Sequence, residues 1–534
     1  MGLTERYLKE LKENVNVPNV VLEFELDSGL RKFGFHTGGF FDIVPCLKSV
    51  SSFQSKLDTK KGYTTRGEIT AVIAGRENFR ELLKGEYLKN RRVTRKDGFV
   101  AEGFRYADHA RTYSGIVSDW SRKGDELTIT ISDDLIDATT KIPEETEDNT
   151  QYISYLGMNP ADIMADILVN RLGVSASSVD TGKFASERDL WLNGWKFSRV
   201  ITEPEAANEY LNELQAETNS FIIHDGERIS LKVYAPPMPG ETVDEWTDKE
   251  ILEKSFSQKS GYRDNFYNRV VVYYDYDESG SEGTENFESA VIAMDAASED
   301  ATQWDEASTK TVKARWIRSY TFSQASNITG VVVYHASKSN GEGSGTLSYV
   351  KADNTLQWTP PGGAAGTAVE VAESGRYDVS DADGSKFVRV VVDAVSLPAS
   401  DATDYIAISP LNGTVLASSV ANKLLNFYRD PSSTVSFEVD INNGTTNGRF
   451  IRPTDLKEIT TDEASDKGLS SWKRERVMIT SVRPDVTAGK VAVEAMRAKM
   501  MRSYGFVAPG STPDFGAASK ETRAYGFVAR SHIW

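Results

Sequence analysis

The chain changes its hydrophobic period several times. Residues 3–14 put Tyr7, Leu8 and Leu11 on one face and predict a short amphipathic helix. The period then falls to two. Val20–Leu26 alternates after its first two residues, and 68–74 repeats the strand pattern. Tyr113–Trp120 and Asp125–Ser132 predict a β-hairpin around Arg122-Lys-Gly124, with Leu127, Ile129 and Ile131 on one face.

The middle returns to helical spacing. Asn159-Pro160 suits an N-cap followed by the first helical residue. Ile163, Ile167, Leu168 and Leu172 then repeat until Gly173. Pro204–Glu217 predicts a second helix. Phe221–His224 and Ile229–Tyr234 flank Asp225-Gly226, a pair suited to a type I′ turn. Arg269–Tyr274 predicts a strand and 302–317 a helix.

Composition shifts near 320. Residues 321–410 hold five Lys/Arg against ten Asp/Glu and are rich in Ser, Gly, Thr and Ala. Val331–Tyr334, Phe387–Val392 and Tyr405–Ile408 are β runs, and Pro360–Gly363 and Ala382–Gly384 are turns. The segment reads as a small all-β module. A helix pattern follows at 415–428 and ends at Arg429-Asp-Pro431, because Pro cannot continue a helix. Thr434–Val439 is a further strand. A β-module between helical segments is what an insertion at a surface loop produces.

Length, charge and chemistry narrow the picture. At 534 residues the chain exceeds one ordinary core, and three or four domains are expected. No stretch approaches the roughly 20 apolar residues of a membrane span. Residues 1–6 lack an apolar signal core, so export is not expected, and Arg6 stands where a myristoylation motif needs Ser or Thr. The net charge of −17 disfavours stable nucleic-acid binding.

The single cysteine, Cys46, excludes an internal disulfide and a four-cysteine metal site within one chain. It reads as a buried structural thiol. The five histidines, His36, His109, His224, His335 and His532, show no pair at helical spacing. No metal or cofactor is expected. Asp378–Gly384 crowds three acids before a glycine, yet misses the EF-hand pattern and reads as a solvated turn. Gly341–Gly345 lacks the Lys-Ser/Thr of a phosphate loop. No carboxylate pair is marked for glycoside hydrolysis, and no enzyme activity is expected. Trp191, Trp195, Trp304, Trp316 and Trp358 read as core or interface anchors. Trp358, in Leu356–Pro360, is kept as a candidate ligand contact.

Tyr504–Ala508 recurs as Tyr525–Ala529, both Tyr-Gly-Phe-Val-Ala. Tyr504, Phe506, Tyr525 and Phe527 are therefore candidate partner contacts. With Tyr113–Val117, Gly124–Leu135, Phe184–Gly194, Arg199–Pro204, Ser255–Lys259, Asn268–Tyr274 and Tyr428–Pro431, this repeat resembles, in order, the tail hub proteins of siphophage-like bacteriophages and gene transfer agents. The resemblance spans most of the chain except the module.

The resemblance implies a mainly β fold with α connectors (α+β) and two hub-type β-barrels, to which the composition shift adds an inserted β-sandwich-like module. It assigns 1–146 to a hub barrel region, 147–219 to a helical connector and 220–320 to the first part of a second barrel. The composition shift sets 321–410 apart as the insertion, and the resemblance assigns 411–490 to the continued barrel and 491–534 to a C-terminal docking segment. It further implies a homotrimeric virion protein of the tail tip, made in the host bacterial cytoplasm. Its partners would be a distal tail protein, a tape-measure protein and a fibre or tip protein, with phage DNA passing without specific binding. Such a trimer would carry −51, three times −17, a charge that repels DNA in a channel. The alternative is a β-rich glycan-binding or polysaccharide-active protein.

Overall fold

The computed structural model describes residues 4–11, 13, 16–40, 42–58, 63–132, 140–144, 151–224, 228–235, 237, 242–259, 267–277, 283–295, 308–324, 328–336, 344–399, 402–428, 433–440, 450–465, 470–485, 488–498, 504–506 and 527–529. The chain divides into two compact units. One comprises 1–137, 221–264 and 431–499, and the other 138–220, 265–430 and 500–534. Strands dominate both, with few helices.

In the first unit, eight strands form one sheet. Their order is Ile43–Val44, Gly29–Gly34, Pro18–Leu26, Arg92–Phe99, Ala110–Lys123, Glu126–Ser132, Ile69–Ala74 and Leu47–Val50. The expected hairpin is present: Lys123 pairs with Glu126 across Gly124, whose φ of +60° suits glycine. The two edge strands are neighbours in sequence, Val44 and Leu47. A flat eight-stranded sheet would hold its edges about 34 Å apart, whereas three residues reach at most about 11 Å. The sheet must therefore curl. One core collects its inward residues, among them Phe24, Phe33, Leu47, Ile73, Val93, Tyr113 and Ile129.

A second sheet of the same unit runs Glu245–Thr247, Leu456–Thr461, Trp472–Asp485, Lys490–Arg497, Thr434–Asp440 and Ser257–Lys259. The hairpin of Ser55–Asp58 and Tyr63–Arg66 joins it through Lys56 opposite Ser481. Trp246, Phe437, Trp472 and Val493 lie in its core. Neither sheet closes by hydrogen bonding into a barrel among the described residues.

The other unit opens with the connector. Asn159 caps the Pro160–Asp166 helix by accepting the Ala161 N–H at 3.0 Å, as its side chain and the following Pro predict. The helix widens into a π-turn at Ile167–Arg171, and Gly173 follows with φ +67°. Thr181–Trp191 and Ala207–Thr218 are the further helices.

The expected helix over 302–317 is corrected for its described part, 308–317. Thr309–Lys313 is a strand, parallel to Arg269–Tyr276. Its β-branched alternation suits a sheet, and the neighbouring strand offers the pairing partner that settles it. Phe287–Met294 completes that three-stranded sheet, on which the Gly413–Tyr428 helix packs.

Between Tyr320 and Pro410 lie two sheets. One orders Tyr320–Gln324, Ala402–Pro410, Ser344–Val350, Thr355–Thr359 and Val369–Glu370. The other orders Val331–Ala336, Phe387–Val392 and Gly375–Ser380. One core joins them through Val331, Val333, Leu347, Leu356, Trp358, Val379, Val388 and Val390. This is sandwich packing, built from alternating inward residues.

Candidate functional site

The second unit concentrates its buried charge where the β-module joins the three-stranded sheet. Asp275 is fully buried in the left-handed region, φ +61°, which non-glycine residues rarely occupy. Its carboxylate accepts the Ser319 N–H at 2.6 Å and the Ser319 hydroxyl at 2.7 Å. Arg318 donates to the carbonyls of Tyr276 and Ser198. Leu411 N–H donates to the Ser319 carbonyl at 2.8 Å, so the segment leaves and returns at one point. Gly413 follows at once. A Cβ there would meet the Arg318 carbonyl oxygen at 2.4 Å, so only glycine fits.

Further ion pairs tie the module to other elements of its unit. Arg389 pairs with Asp277, and its Nε donates to Asp378 at 3.0 Å. Arg376 pairs with Glu203 and donates to the Thr202 carbonyl at 2.7 Å. His335 Nε2 lies 3.9 Å from Asp277 and 3.7 Å from Glu288, and neither ring nitrogen makes a hydrogen bond among the described residues. The ring is 1% exposed. Burial pulls its pKa down to about 4, Asp277 opposes that shift, and Arg318 and Arg389 add to it.

The connector helix supplies a third cluster. Glu213 pairs with Arg199 and accepts from Arg315 at 3.0 Å and from the Trp316 indole at 3.0 Å. The Arg199 guanidinium lies over the rings of Tyr210 and Trp316. One turn on, Glu217 accepts the Trp316 backbone N–H. Burial pushes Glu217 well above the usual carboxylate range, and Glu213 adds to it. Each of these groups fastens one element to another.

The residues singled out from sequence fall elsewhere. Trp358 is 1% exposed inside the module core, opposite Leu347, which is a packing position. Trp191, Trp195 and Trp316 are also buried, and Trp304 lies outside the described residues. Cys46 is buried and its thiol is pushed up to about 11 by burial. In the acidic turn, Asp381 accepts the Lys386 N–H and Asp383 the Ser385 N–H. No group of three metal-ligating side chains occurs among the described residues.

The repeat behaves differently from the other motifs. Tyr504–Phe506 and Phe527–Ala529 pair with each other as an antiparallel two-stranded sheet, and Tyr525 lies outside the described residues. Sequence reasoning missed the junction charges because Asp275, Asp277, Arg318 and Arg389 are scattered through a chain of 78 acids and 61 Lys/Arg. Only Gly413, beside a predicted helix start, was a local signal.

Fold and site together define a β-rich protein of two discontinuous units, with a β-module fastened by a buried hydrogen-bonded carboxylate and partly exposed ion pairs. No family model matches the chain, and no curated protein does. Among solved structures, it is similar to the 43 kDa tail protein of prophage MuSo2 from Shewanella oneidensis. The identity is 10%, with 90% of this chain and 99% of that chain covered, at a TM-score of 0.39. It is also similar to a chain from the virion of a native gene transfer agent particle, at 9% identity, 91% and 85% coverage and a TM-score of 0.30. At these scores neither likeness bears on fold or function.

Proposed function

We propose that this chain is a structural virion protein, the homotrimeric tail-tip hub of a long-tailed bacteriophage or gene transfer agent. In this reading it closes the tail tube and forms the channel through which DNA leaves. It seats a distal tail protein and a tape-measure protein, and attaches a fibre or tip protein. Its mechanism is assembly and gating, without bond chemistry.

One observation carries the reading: the resembling segments occur in a single order along the chain. Their positions are compatible with it. Tyr113–Val117 and Glu126–Ser132 lie on adjacent strands of the curled sheet, Phe184–Trp191 on a connector helix and Arg269–Tyr274 on a central strand. The curled eight-stranded sheet is the element that hub-type barrels would be built from. The module, attached at Ser319 and Leu411, stands as the platform for a fibre or tip protein.

Solution mass and negative-stain imaging test this. A ring around a channel at 177 kDa, three times 59.0 kDa, is the expected result. A chain that stays at 59.0 kDa at every concentration, and that cleaves polysaccharide, would overturn it in favour of the enzyme reading.

A further inference from the structure

The register of the repeat has a symmetry of its own. Tyr504 pairs with Ala529, Gly505 with Val528 and Phe506 with Phe527. Counted within the five-residue motif, the first position faces the fifth, the second the fourth and the third the third. Identical strands in this register are related by a two-fold axis through the central Phe positions. The segment is therefore its own antiparallel partner.

We infer that the Tyr-Gly-Phe-Val-Ala strands are an exchange element whose partner is the same motif in a second copy of this chain. Self-complementarity means that the backbone hydrogen bonds are the same whichever copy supplies the second strand. Among the described residues no third strand joins the pair. A two-stranded ribbon by itself is marginal in water. Pairing within one chain also closes the 20 residues 507–526 into a loop, at an entropic cost. A strand from a neighbouring copy avoids that closure, and copies already held together present it at high effective concentration. Handing the first motif of each copy to the second motif of the next generates a closed ring by domain swapping. The inference rests on the proposed hub reading and deepens it by naming what the repeat pairs with, because copies held in one assembly supply the high effective concentration the exchange needs.

The test is cysteine cross-linking in full-length chain carrying Cys46→Ser. Chains bearing Phe506→Cys are mixed with chains bearing Phe527→Cys and oxidised with copper phenanthroline. Exchange predicts a 506–527 disulfide between copies, seen at 118 kDa, twice 59.0 kDa, on a non-reducing gel and in greater yield from the mixture than from either single-cysteine chain alone. The double variant Phe506→Cys/Phe527→Cys should then give 118 kDa and larger species at micromolar concentration, shifting to internally linked monomer on hundredfold dilution. Internally linked monomer at every concentration, or no cross-link at all, overturns the inference. Unfolding of the variants is checked separately: the same mixing with Val528→Cys and Gly505→Cys, the adjacent register pair, must give the same answer. Oligomer mass of chain lacking 503–534 tests the hub reading independently, because a trimer that persists without the repeat leaves the hub standing whatever the cross-links show.

Discussion

Both carboxylate oxygens of Glu217 lie 3.2 Å from the backbone nitrogen of Trp316. Desolvation of this buried carboxylate pushes its pKa up, Glu213 adds to the rise, and the Trp316 N–H offsets part of it. Its folded pKa is raised above the ordinary 4.5. Its stabilising contribution is therefore complete below 4.5 and is lost as pH rises through the folded value. Glu217→Gln keeps an acceptor for Trp316 and removes the ionisation. The variant should gain stability relative to the native protein as pH rises above 4.5, measured as a Tm difference that widens with pH. Glu217→Ala leaves the Trp316 N–H without its acceptor and should cost about 1–3 kcal/mol. A Gln variant whose Tm tracks the native one at every pH contradicts this account.

His335 gives the opposite dependence. Its folded pKa of about 4 lies below the ordinary 6.5. Stability is complete above 6.5 and declines as pH falls toward 4, because the unfolded chain binds the proton that the folded one resists. The loss should reach about 3 kcal/mol at most. His335→Gln should flatten the melting profile in that window. An unchanged acid limb in the variant assigns the loss to other groups.

Replacing 321–410 by a short Gly/Ser bridge should leave the rest of the chain folded. The Leu411 N–H to Ser319 carbonyl bond already brings the two ends together, so the bridge spans almost no distance. Arg389 and Arg376 are removed with the module, so Asp277 and Glu203 lose those two ion pairs. Far-UV circular dichroism and the oligomer mass are the measurements. An insoluble product, or loss of the oligomer, shows the module to be integral to its unit.

Trp358→Ala should unfold the module or cost about 3–5 kcal/mol, the range for a large buried aromatic. Gly345→Ala should act on the same side chain, since a Cβ at 345 would meet the Trp358 indole nitrogen at 2.5 Å. A Trp358→Ala protein that keeps its Tm and loses a bound glycan would restore the contact role.

Cys46→Ser should cost no more than about 1–3 kcal/mol, the penalty of a polar group in a packed site. It should leave assembly unchanged. In the native fold the thiol should resist alkylation at pH 8, since its pKa of about 11 leaves little thiolate. Rapid labelling without denaturant would contradict its burial.

Period, punctuation and turn chemistry were legible in the sequence wherever the deciding interaction is local. Asn159-Pro160, the hairpin at Gly124 and the helix ending at Tyr428 are set by residues within one turn or one ladder of each other. The β character of 320–410 was legible for the same reason. What depends on distant partners was not. Thr309–Lys313 is a strand because Arg269–Tyr276 lies beside it, and nothing within 302–317 encodes that neighbour. The curl of the first sheet follows from which strands meet at its edges, and Trp358 became a core residue only when Leu347 was placed opposite. The junction charges carry no sequence signal, since nothing in the residues flanking Glu217 and His335 marks them as buried. The repeat was plain as a repeat. Its self-pairing register is a property of two backbones brought together, and only the tertiary structure decides that.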